Sequence, residues 1–291
     1  MLKTHFAAAL AIFGILLSGN VNGQTIIDAS MDSGYFAAGF DMGVPSFTVN
    51  NFGGHTHLPT GRANSDRVNR SIFQFDILGN IPSGSTVMDA TFEFEVTQQG
   101  GYQGTSAANF DLHRVTTAWD EGTGTGNIGQ ATGDGVTWAN ATATVEWNTL
   151  GGDFDSPPLG SVLVSGPNGN AGEAPILYQI NSAALVSYVQ DVVDGTAVDN
   201  GLLLKTATEA ILGSASRVTS IEGGTPARLT VTLGGVILGD VNMDGTVNLL
   251  DVAPFVDLIS RGIFQAEADI NQDGVVTLLD VQPFVTILQG G

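Results

Sequence analysis

Two twelve-residue segments near the C-terminus carry oxygen-bearing side chains at the same spacing. The first begins at Asp240 and the second at Asp269, 29 residues later. Each has oxygen side chains at positions 1, 3 and 5, a glycine at position 6 and a carboxylate at position 12. Calcium takes six or more oxygen ligands, and this spacing wraps such ligands around one point. We therefore predict two bound Ca²⁺ ions, one in each loop.

The two loops supply matching ligands, position by position. Position 7 would bind through its backbone carbonyl, and position 9 often binds through a water molecule. The predicted metal ligands are Asp240, Asn242, Asp244, Thr246, Asn248 and Asp251 in the first loop, and Asp269, Asn271, Asp273, Val275, Thr277 and Asp280 in the second. The alternative is a pair of Asp/Asn-rich turns without metal, and the repetition in register argues against it.

The segments around the loops differ from those of paired EF-hands. Position 12 is aspartate rather than glutamate, and no amphipathic helix pattern precedes either loop. A helix can only follow each loop, beginning near Asp251 and near Asp280. This duplicated loop-then-helix pattern, which covers residues 239–291, resembles the type I dockerin, the module by which cellulosomal enzymes bind cohesins. The resemblance implies calcium binding and attachment to a cohesin-like protein or another surface partner.

The sequence departs from the dockerin pattern at loop positions 10 and 11. In dockerins these positions usually carry hydroxyl residues and largely determine the partner. Here they are the leucines Leu249, Leu250, Leu278 and Leu279. Two alternatives remain open for them, burial in the core or partial exposure as an apolar docking surface, and we favour the second slightly.

A proline lies three residues after each closing aspartate. Because proline is tolerated only in the first turn of a helix, Pro254 and Pro283 require each helix to begin at or after the end of its loop. The residues that follow them, Phe255-Val256 and Phe284-Val285, are expected to form the core between the two helices.

The preceding part of the chain has the pattern of a mainly β domain. Short runs with period-two alternation recur through residues 24–233, as in Val87–Val96, where Ala90, Phe92, Phe94 and Val96 share one face. Helical spacing within 184–193 predicts one short helix. We expect a jelly-roll-like β-sandwich over residues 24–233, a short linker over 234–239 and the dockerin-like calcium-binding domain over 240–291.

Several stretches of the β domain resemble the DNRLRE, or disaggregatase-related, family. In chain order they are Asn69–Asp76, Ile81–Val87, Leu112–Gly122, Trp138, Trp147, Gly151–Phe154, Asn200–Lys205 and Pro226–Leu229. The resemblance implies a jelly-roll-like sandwich of the kind often attached to polysaccharide-degrading enzymes. Some members of that family bind acidic polysaccharides.

Candidate carbohydrate-binding residues are basic or aromatic. Arg62, Arg67 and Arg70 lie within nine residues, and a guanidinium matches a carboxylate bidentately. Arg217 and Arg228 would join them if the end strands pair nearby. Trp138 and Trp147 could stack on sugar rings. The alternatives are that the arginines pair with the protein's own carboxylates and that the tryptophans plug the sandwich, as we expect for Trp119.

Two histidines, His55 and His57, would lie on one face of a strand. Two imidazoles make an incomplete zinc site, and the chain has no cysteine to complete it, so an ordinary surface pair is expected. No short hydrolase or metalloprotease motif identifies a catalytic nucleophile. The catalytic residues, if any exist, are unknown from the sequence.

The N-terminus and the charge balance indicate where the protein acts. Lys3, the apolar run Phe6–Leu17 and the small residues up to Gly23 predict a cleaved signal peptide over residues 1–23, with an uncleaved anchor as the alternative. Export by a bacterium fits the absence of cysteine. A net charge of −20 argues against nucleic acid as a partner. We expect a secreted, extracellular protein with no transmembrane anchor in its mature form.

Three functions are compatible with these features. The first is a secreted calcium-binding modular protein whose sandwich binds polysaccharide, acidic polysaccharide included, and whose tail attaches it to another protein during polysaccharide breakdown. The second is an enzyme, a polysaccharide lyase or a glycoside hydrolase acting on O-glycosyl bonds, carried by the same tail. The third is a structural cell-surface protein. The sequence favours the non-catalytic first function.

Overall fold

A computed structural model describes residues 23–37, 50–64, 67–99, 106–126, 134–166 and 174–289. Residues 1–22 of the predicted signal peptide lie outside the described residues. Among the helices that the structure describes, none is both long and apolar enough to cross a membrane.

The described residues form eleven strands and four α-helices. The strands are β1 Gly23–Asp28, β2 Met31–Phe36, β3 His57–Arg62, β4 Val68–Gln74, β5 Val87–Gln99, β6 Ala108–Arg114, β7 Gly160–Val164, β8 Ile176–Asn181, β9 Leu202–Thr206, β10 Ser216–Thr219 and β11 Arg228–Leu233. The helices are α1 Ile77–Asn80, α2 Ala183–Val193, α3 Val252–Arg261 and α4 Val281–Leu288, and a 3₁₀ helix covers Leu249–Asp251. The prediction of a mainly β chain with a helical C-terminal segment is confirmed.

The strands pair antiparallel and continuously within the described residues. Their order is β1-β11-β5-β10-β3-β4-β9-β6-β7, while β2 pairs with β4 and β8 with β5. Strand β3 joins two halves, because residues 57–60 pair with β10 and residues 61–62 pair with β4. Gly61 stands at this change of partner with a φ of 101°, and a Cβ there would lie 2.7 Å from the Ser214 carbonyl oxygen. Only glycine fits such a bend.

The two halves pack face to face through aromatic side chains. Phe92 of β5 lies 5.4 Å from Phe73 of β4, and Phe94 of β5 stacks 6.5 Å from Phe110 of β6, all between ring centroids. The predicted alternation in β5 is confirmed, since Ala90, Phe92, Phe94 and Val96 are all buried. The predicted helix is α2, whose N-cap Ser182 accepts a hydrogen bond from the Leu185 amide at 3.0 Å.

The long segment after Trp119 covers the outer face of the half of the sheet that contains β2, β4 and β9. Tyr35, Ile72 and Leu203 point outward from β2, β4 and β9, and they are buried together with Trp119 and Trp147. Both indoles donate a hydrogen bond to a backbone carbonyl, that of Asn200 at 3.0 Å for Trp119 and that of Thr137 at 2.9 Å for Trp147. The predicted core position of Trp119 is therefore confirmed.

The C-terminal module packs around a pair of phenylalanines. Phe255 and Phe284 are buried with ring centroids 4.3 Å apart, while Val256 and Val285 are 58% and 37% exposed. The prediction that both valines join the core was wrong, because successive residues of a helix point in different directions. The helices begin at Val252 and Val281, so each proline lies in a first turn as predicted.

The predicted linker, residues 234–239, contains no helix or strand. Its two ends hydrogen-bond within different parts of the chain. The Gly234 amide donates to the Thr86 carbonyl at 2.8 Å, and the Gly239 amide donates to the Glu267 carbonyl at 2.7 Å.

Candidate functional site

In the first loop, two carboxylates hold the backbone in a closed ring. Asp240 at position 1 accepts from the amides of Asp244 at 3.0 Å and Gly245 at 2.8 Å. Asp251 at position 12 accepts from the amides of Asn242 at 2.9 Å and Asn248 at 2.8 Å. The first and last residues of the loop therefore each bind its interior.

The second loop repeats this arrangement bond for bond. Asp269 accepts from the amides at positions 5 and 6, at 3.0 and 2.9 Å, and Asp280 accepts from those at positions 3 and 9, at 3.1 and 2.8 Å. Because the repeat extends to individual hydrogen bonds, the shared sequence spacing produces a shared backbone path.

Both loops also use the left-handed backbone region at two positions. Gly245 and Gly274 at position 6 have a φ of 87°, as the sharp turn predicted there requires. Position 4 is left-handed as well, with a φ of 58° at Met243 and 59° at Gln272. Nothing in the sequence indicated this, since neither residue type favours positive φ.

The closing carboxylates lie in surroundings that fit a cation. Asp251 and Asp280 are 0% exposed, and Asp240 and Asp269 are buried too. Within the described residues the salt bridges are Arg70–Glu209, Arg114–Asp155 and Arg261–Asp257, so none reaches these four carboxylates. A buried charge is stable only when it is paired, hydrogen-bonded or bound to a metal. The oxygen donors of each loop therefore suit a hard cation.

Acidic side chains alone do not build the site. No group of three or more His, Cys, Asp or Glu side chains in the described ranges is close enough together to hold a metal ion. In each loop the aspartates turn toward backbone amides, and the other oxygens come from amide, hydroxyl and carbonyl groups. One exposed aspartate stays charged, because hydrogen bonds from Thr246 and Asn242 lower the pKa of Asp244.

Residues 238–283 match the family model of the dockerin type I domain. The C-terminal segment therefore resembles type I dockerins in both sequence and loop-then-helix structure. Type I dockerins in general bind calcium and attach to cohesins. The matched segment is a small part of the chain, and it contains both loops. No curated protein matches the chain.

The leucines at positions 10 and 11 of this dockerin-like module face solvent. Leu249, Leu250, Leu278 and Leu279 are 80%, 67%, 76% and 70% exposed. Each pair lies within its loop, just before the closing aspartate and the helix that follows it. We refer to these four side chains as the leucine surface.

In the sandwich, the structure places Arg70 inside the protein. Its guanidinium donates to both carboxylate oxygens of Glu209, at 2.8 and 2.9 Å, and to the Gly151 carbonyl at 2.6 Å. It also lies 4.6 Å from the Trp138 ring centroid. Arg70 therefore follows the alternative given above, in which an arginine pairs with one of the protein's own carboxylates instead of a sugar. Glu209 could not be identified as its partner from the sequence, because 139 residues separate the two.

The other candidate sugar-binding residues occupy different places. Trp147 is buried in the core, and the partly buried Trp138 lies against the Arg70 guanidinium. Neither indole therefore has a fully exposed ring face on which a sugar could stack. Arg62 donates to the Glu209 carbonyl at 3.1 Å. Arg67 and Arg217 line one cleft, together with His55 and His57, whereas Arg228 belongs to β11 and lies outside it. Two of the three clustered arginines, Arg62 and Arg70, therefore bind Glu209, and only Arg67 lines the cleft.

Proposed function

We propose that this protein is a secreted modular attachment protein. Its dockerin-like module binds two Ca²⁺ ions, one in each loop, through the twelve loop positions given above. The calcium-loaded module binds a cohesin-like protein, and the sandwich binds polysaccharide. The observation that carries the attachment role is the leucine surface, which two matching loops expose in a segment similar to type I dockerins.

The ions would act on structure rather than on chemistry. Bound calcium would neutralise the buried carboxylates of each loop and fix the start of the following helix. The chain's own contribution is to hold Leu249-Leu250 and Leu278-Leu279 outward, because each pair directly precedes a helix whose first turn is set by the loop. Apolar side chains this exposed contribute to affinity when a partner removes them from water.

The docking proposal is tested with a panel of type I cohesins and the full-length protein. Titration calorimetry should detect a calcium-dependent complex with at least one cohesin. Replacing Leu249 and Leu250 with serine should weaken it about tenfold or more, since two buried leucine contacts are lost. The matched control is Leu163→Ser, which removes a similarly exposed leucine on β7.

Two outcomes would contradict this proposal. One is a complex that forms equally well in excess chelator. The other is wild-type affinity in both leucine-pair variants, L249S/L250S and L278S/L279S, which would show that the partner binds elsewhere. Because these side chains are exposed, the substitutions should change stability by less than about 0.5 kcal/mol, and a melting curve checks this.

The polysaccharide proposal is supported by the resemblance of residues 24–233 to the DNRLRE family and by arginines in an otherwise acidic domain. A panel of acidic and neutral polysaccharides tests it through two readouts, retardation in affinity gels and release of reducing or unsaturated ends. Retardation without release is expected. Release would establish the lyase or hydrolase alternative, and neither effect across the panel would favour a structural role.

A further inference from the structure

A small cleft opens at the place where β3 passes from one half of the sheet to the other. Its volume is about 100 Å³, and its walls come from β3, β10, the segment before β4 and the loop that carries Phe52 and His55. Pockets for whole drug-sized ligands are several times larger, on the order of 300–1,000 Å³. The cleft therefore suits one chemical group of a longer ligand.

The charge of this cleft is opposite to that of the rest of the protein. Residues 24–239 contain 21 acidic residues and 7 basic ones. Arg67, Arg217, His55 and His57 line the cleft, and none of the described residues that line it is Asp or Glu. A concave, positive site in an acidic surface concentrates anions locally while the remaining surface repels them.

The two histidines are held in a defined arrangement. Their ring centroids lie 4.1 Å apart at an interplanar angle of 81°. The His57 amide donates to Nδ1 of His55 at 3.2 Å, so in neutral His55 the proton is on Nε2. Phe52 contacts the His55 ring edge-on, with centroids 5.7 Å apart. The imidazole donors are therefore positioned before any ligand binds.

Burial and neighbouring positive groups both act on the pKa values of the two histidines. Burial lowers the pKa of His57 to about 4, with His55 and Arg217 adding to the effect. Burial and Arg217 also lower the pKa of His55. Among the described residues, the charged groups that line the cleft with the two histidines are Arg217 on β10 and Arg67 before β4. Both histidines are neutral at pH 7, and a bound anion would stabilise their charged forms.

The arginines are fixed by their own contacts. The Arg67 guanidinium lies 5.4 Å from the Phe36 ring centroid, and the Asn69 side chain donates to the Arg67 carbonyl at 3.2 Å. Arg217 is held in β10 between β3 and β5. In the same wall, the buried Ser216 hydroxyl has no hydrogen-bond partner among the described residues. A site ordered in advance loses less entropy when a ligand binds.

We propose that this cleft binds the carboxylate of a uronic acid unit within an acidic polysaccharide. The inference rests on the proposed polysaccharide binding and assigns it a location and a ligand class. Guanidinium groups bind carboxylates bidentately, and the phenyl and imidazole rings beside them offer apolar and hydrogen-bonding contacts to one sugar ring. Arg67, Arg217, His55 and His57 form the site, while Arg70 does not belong to it.

The test compares oligouronates with their methyl esters, which keep the sugar rings and remove the charge. Titration calorimetry with the full-length protein should show binding of the oligouronate and at least tenfold weaker binding of the ester. R67Q and R217Q should each weaken oligouronate binding about tenfold or more, as expected for the loss of a charge-assisted hydrogen bond. R228Q, which makes the same charge change outside the cleft, is the matched control and should leave affinity within twofold.

Acid should strengthen binding. As the pH falls from 7 to 5, anion-coupled protonation of the histidines adds positive charge while the uronate stays ionised, so affinity should rise several-fold. The H55Q/H57Q variant should lose this pH dependence and retain the arginine-dependent binding at pH 7. Because either arginine variant could affect folding, both are compared with the control by thermal melting.

The outcomes separate the two proposals. Oligouronate binding that R67Q, R217Q and R228Q all leave unchanged would overturn the cleft while preserving polysaccharide binding by the sandwich. Equal binding of the ester and the acid would overturn the carboxylate as the recognised group. Binding of neutral glycans alone would have the same consequence. Absence of binding to every glycan in the panel would reject the proposed polysaccharide function and the cleft with it.

Discussion

The dockerin-like module and the β-sandwich bury charge in different ways. In the module, Asp251 and Asp280 are fully buried, and the hydrogen bonds they accept come from backbone amides. In the sandwich, the buried Arg70 is held bidentately by Glu209, with a further hydrogen bond to the Gly151 carbonyl. One region leaves its negative charge to be balanced from outside the chain, while the other supplies its own counter-charge.

The two regions are therefore stabilised in different ways. The module has a small core centred on Phe255 and Phe284, and the electrostatic cost of its carboxylates falls when a cation binds. The sandwich has a much larger apolar core and a charge network that closes within the chain. Removing cations should therefore act on one region and leave the other unchanged.

Calcium removal is the strongest test of this contrast. With excess chelator, we expect the full-length protein to lose the helices of the module while the sandwich stays folded. At a thousandfold excess of free calcium over the Kd, each ion contributes about 4 kcal/mol, which is enough to decide the folding of so small a module. Far-UV circular dichroism measures the lost helix.

The sandwich provides an internal control in the same sample. All three tryptophans, Trp119, Trp138 and Trp147, lie in the sandwich, so their fluorescence reports that region. The thermal transition seen by fluorescence should be the same with and without chelator. An unchanged helix signal in chelator would show that the backbone amides suffice for the loop carboxylates, and it would remove the basis of the comparison.

Breaking the sandwich's own ion pair should have the next largest effect. Arg70→Met leaves Glu209 without its cation, and loss of one partner from a buried pair costs about 3–5 kcal/mol. Since part of the Glu209 side chain reaches solvent, we expect the lower end of this range. The measurement is urea unfolding followed by tryptophan fluorescence. The helix signal of the module in far-UV circular dichroism is expected to match that of the wild type in the absence of urea.

Two further variants separate the ion pair from simple loss of volume. R70M/E209Q removes both charges and should recover part of the stability that R70M loses. Arg114→Met breaks a wider and more exposed contact, in which Arg114 and Asp155 lie 3.7 Å apart, and should cost less than about 1 kcal/mol. Equal losses in R70M and R114M would mean that burial of the pair has no energetic importance.

The same contrast explains what could be predicted from the sequence. Every hydrogen bond that closes a loop joins residues at most nine positions apart, so the spacing of Asp240, Gly245 and Asp251 contained the loop geometry. The alternation in β5 likewise predicted its buried face. Arg70 and Glu209, by contrast, meet only because β4 and the segment after β9 are neighbours in the folded sheet.

The cleft in the sandwich is likewise formed by residues that are far apart in the chain. Three arginines within nine residues suggested one patch, yet strand geometry turned Arg70 inward and left Arg67 beside Arg217, which comes from a strand 150 residues away in the chain. A sequence contains the residue types of such a site, while the pairing of β3 with β10 decides which of them meet.

Position 4 of the loops was missed for a different reason, since Met243 and Gln272 have no preference for left-handed backbone.

Asp32 in the sandwich is an exception to the contrast, because none of the salt bridges between described residues gives this buried carboxyl group a counter-charge. It is fully buried, its Oδ2 accepts from the Ile221 amide at 2.8 Å, and its Oδ1 has no hydrogen-bond partner in the described part of the chain. Burial raises its pKa to about 7, and the nearby carboxylates of Glu222 and Glu121 act in the same direction. Where the module would balance such a charge with calcium, burial in the sandwich favours the protonated form of the carboxyl group.

Asp32→Asn tests this difference, and its effect should depend on pH. The folded protein keeps a proton on Asp32 up to about pH 7, whereas the unfolded chain releases it near pH 4, so wild-type stability falls as the pH rises through this window. Asparagine cannot ionise, and D32N should therefore be more stable than wild type by about 2–4 kcal/mol at pH 8 and nearly equal to it at pH 4. Urea unfolding followed by tryptophan fluorescence measures both differences. An effect of D32N that is the same at both pH values would show that folding does not raise the pKa of Asp32.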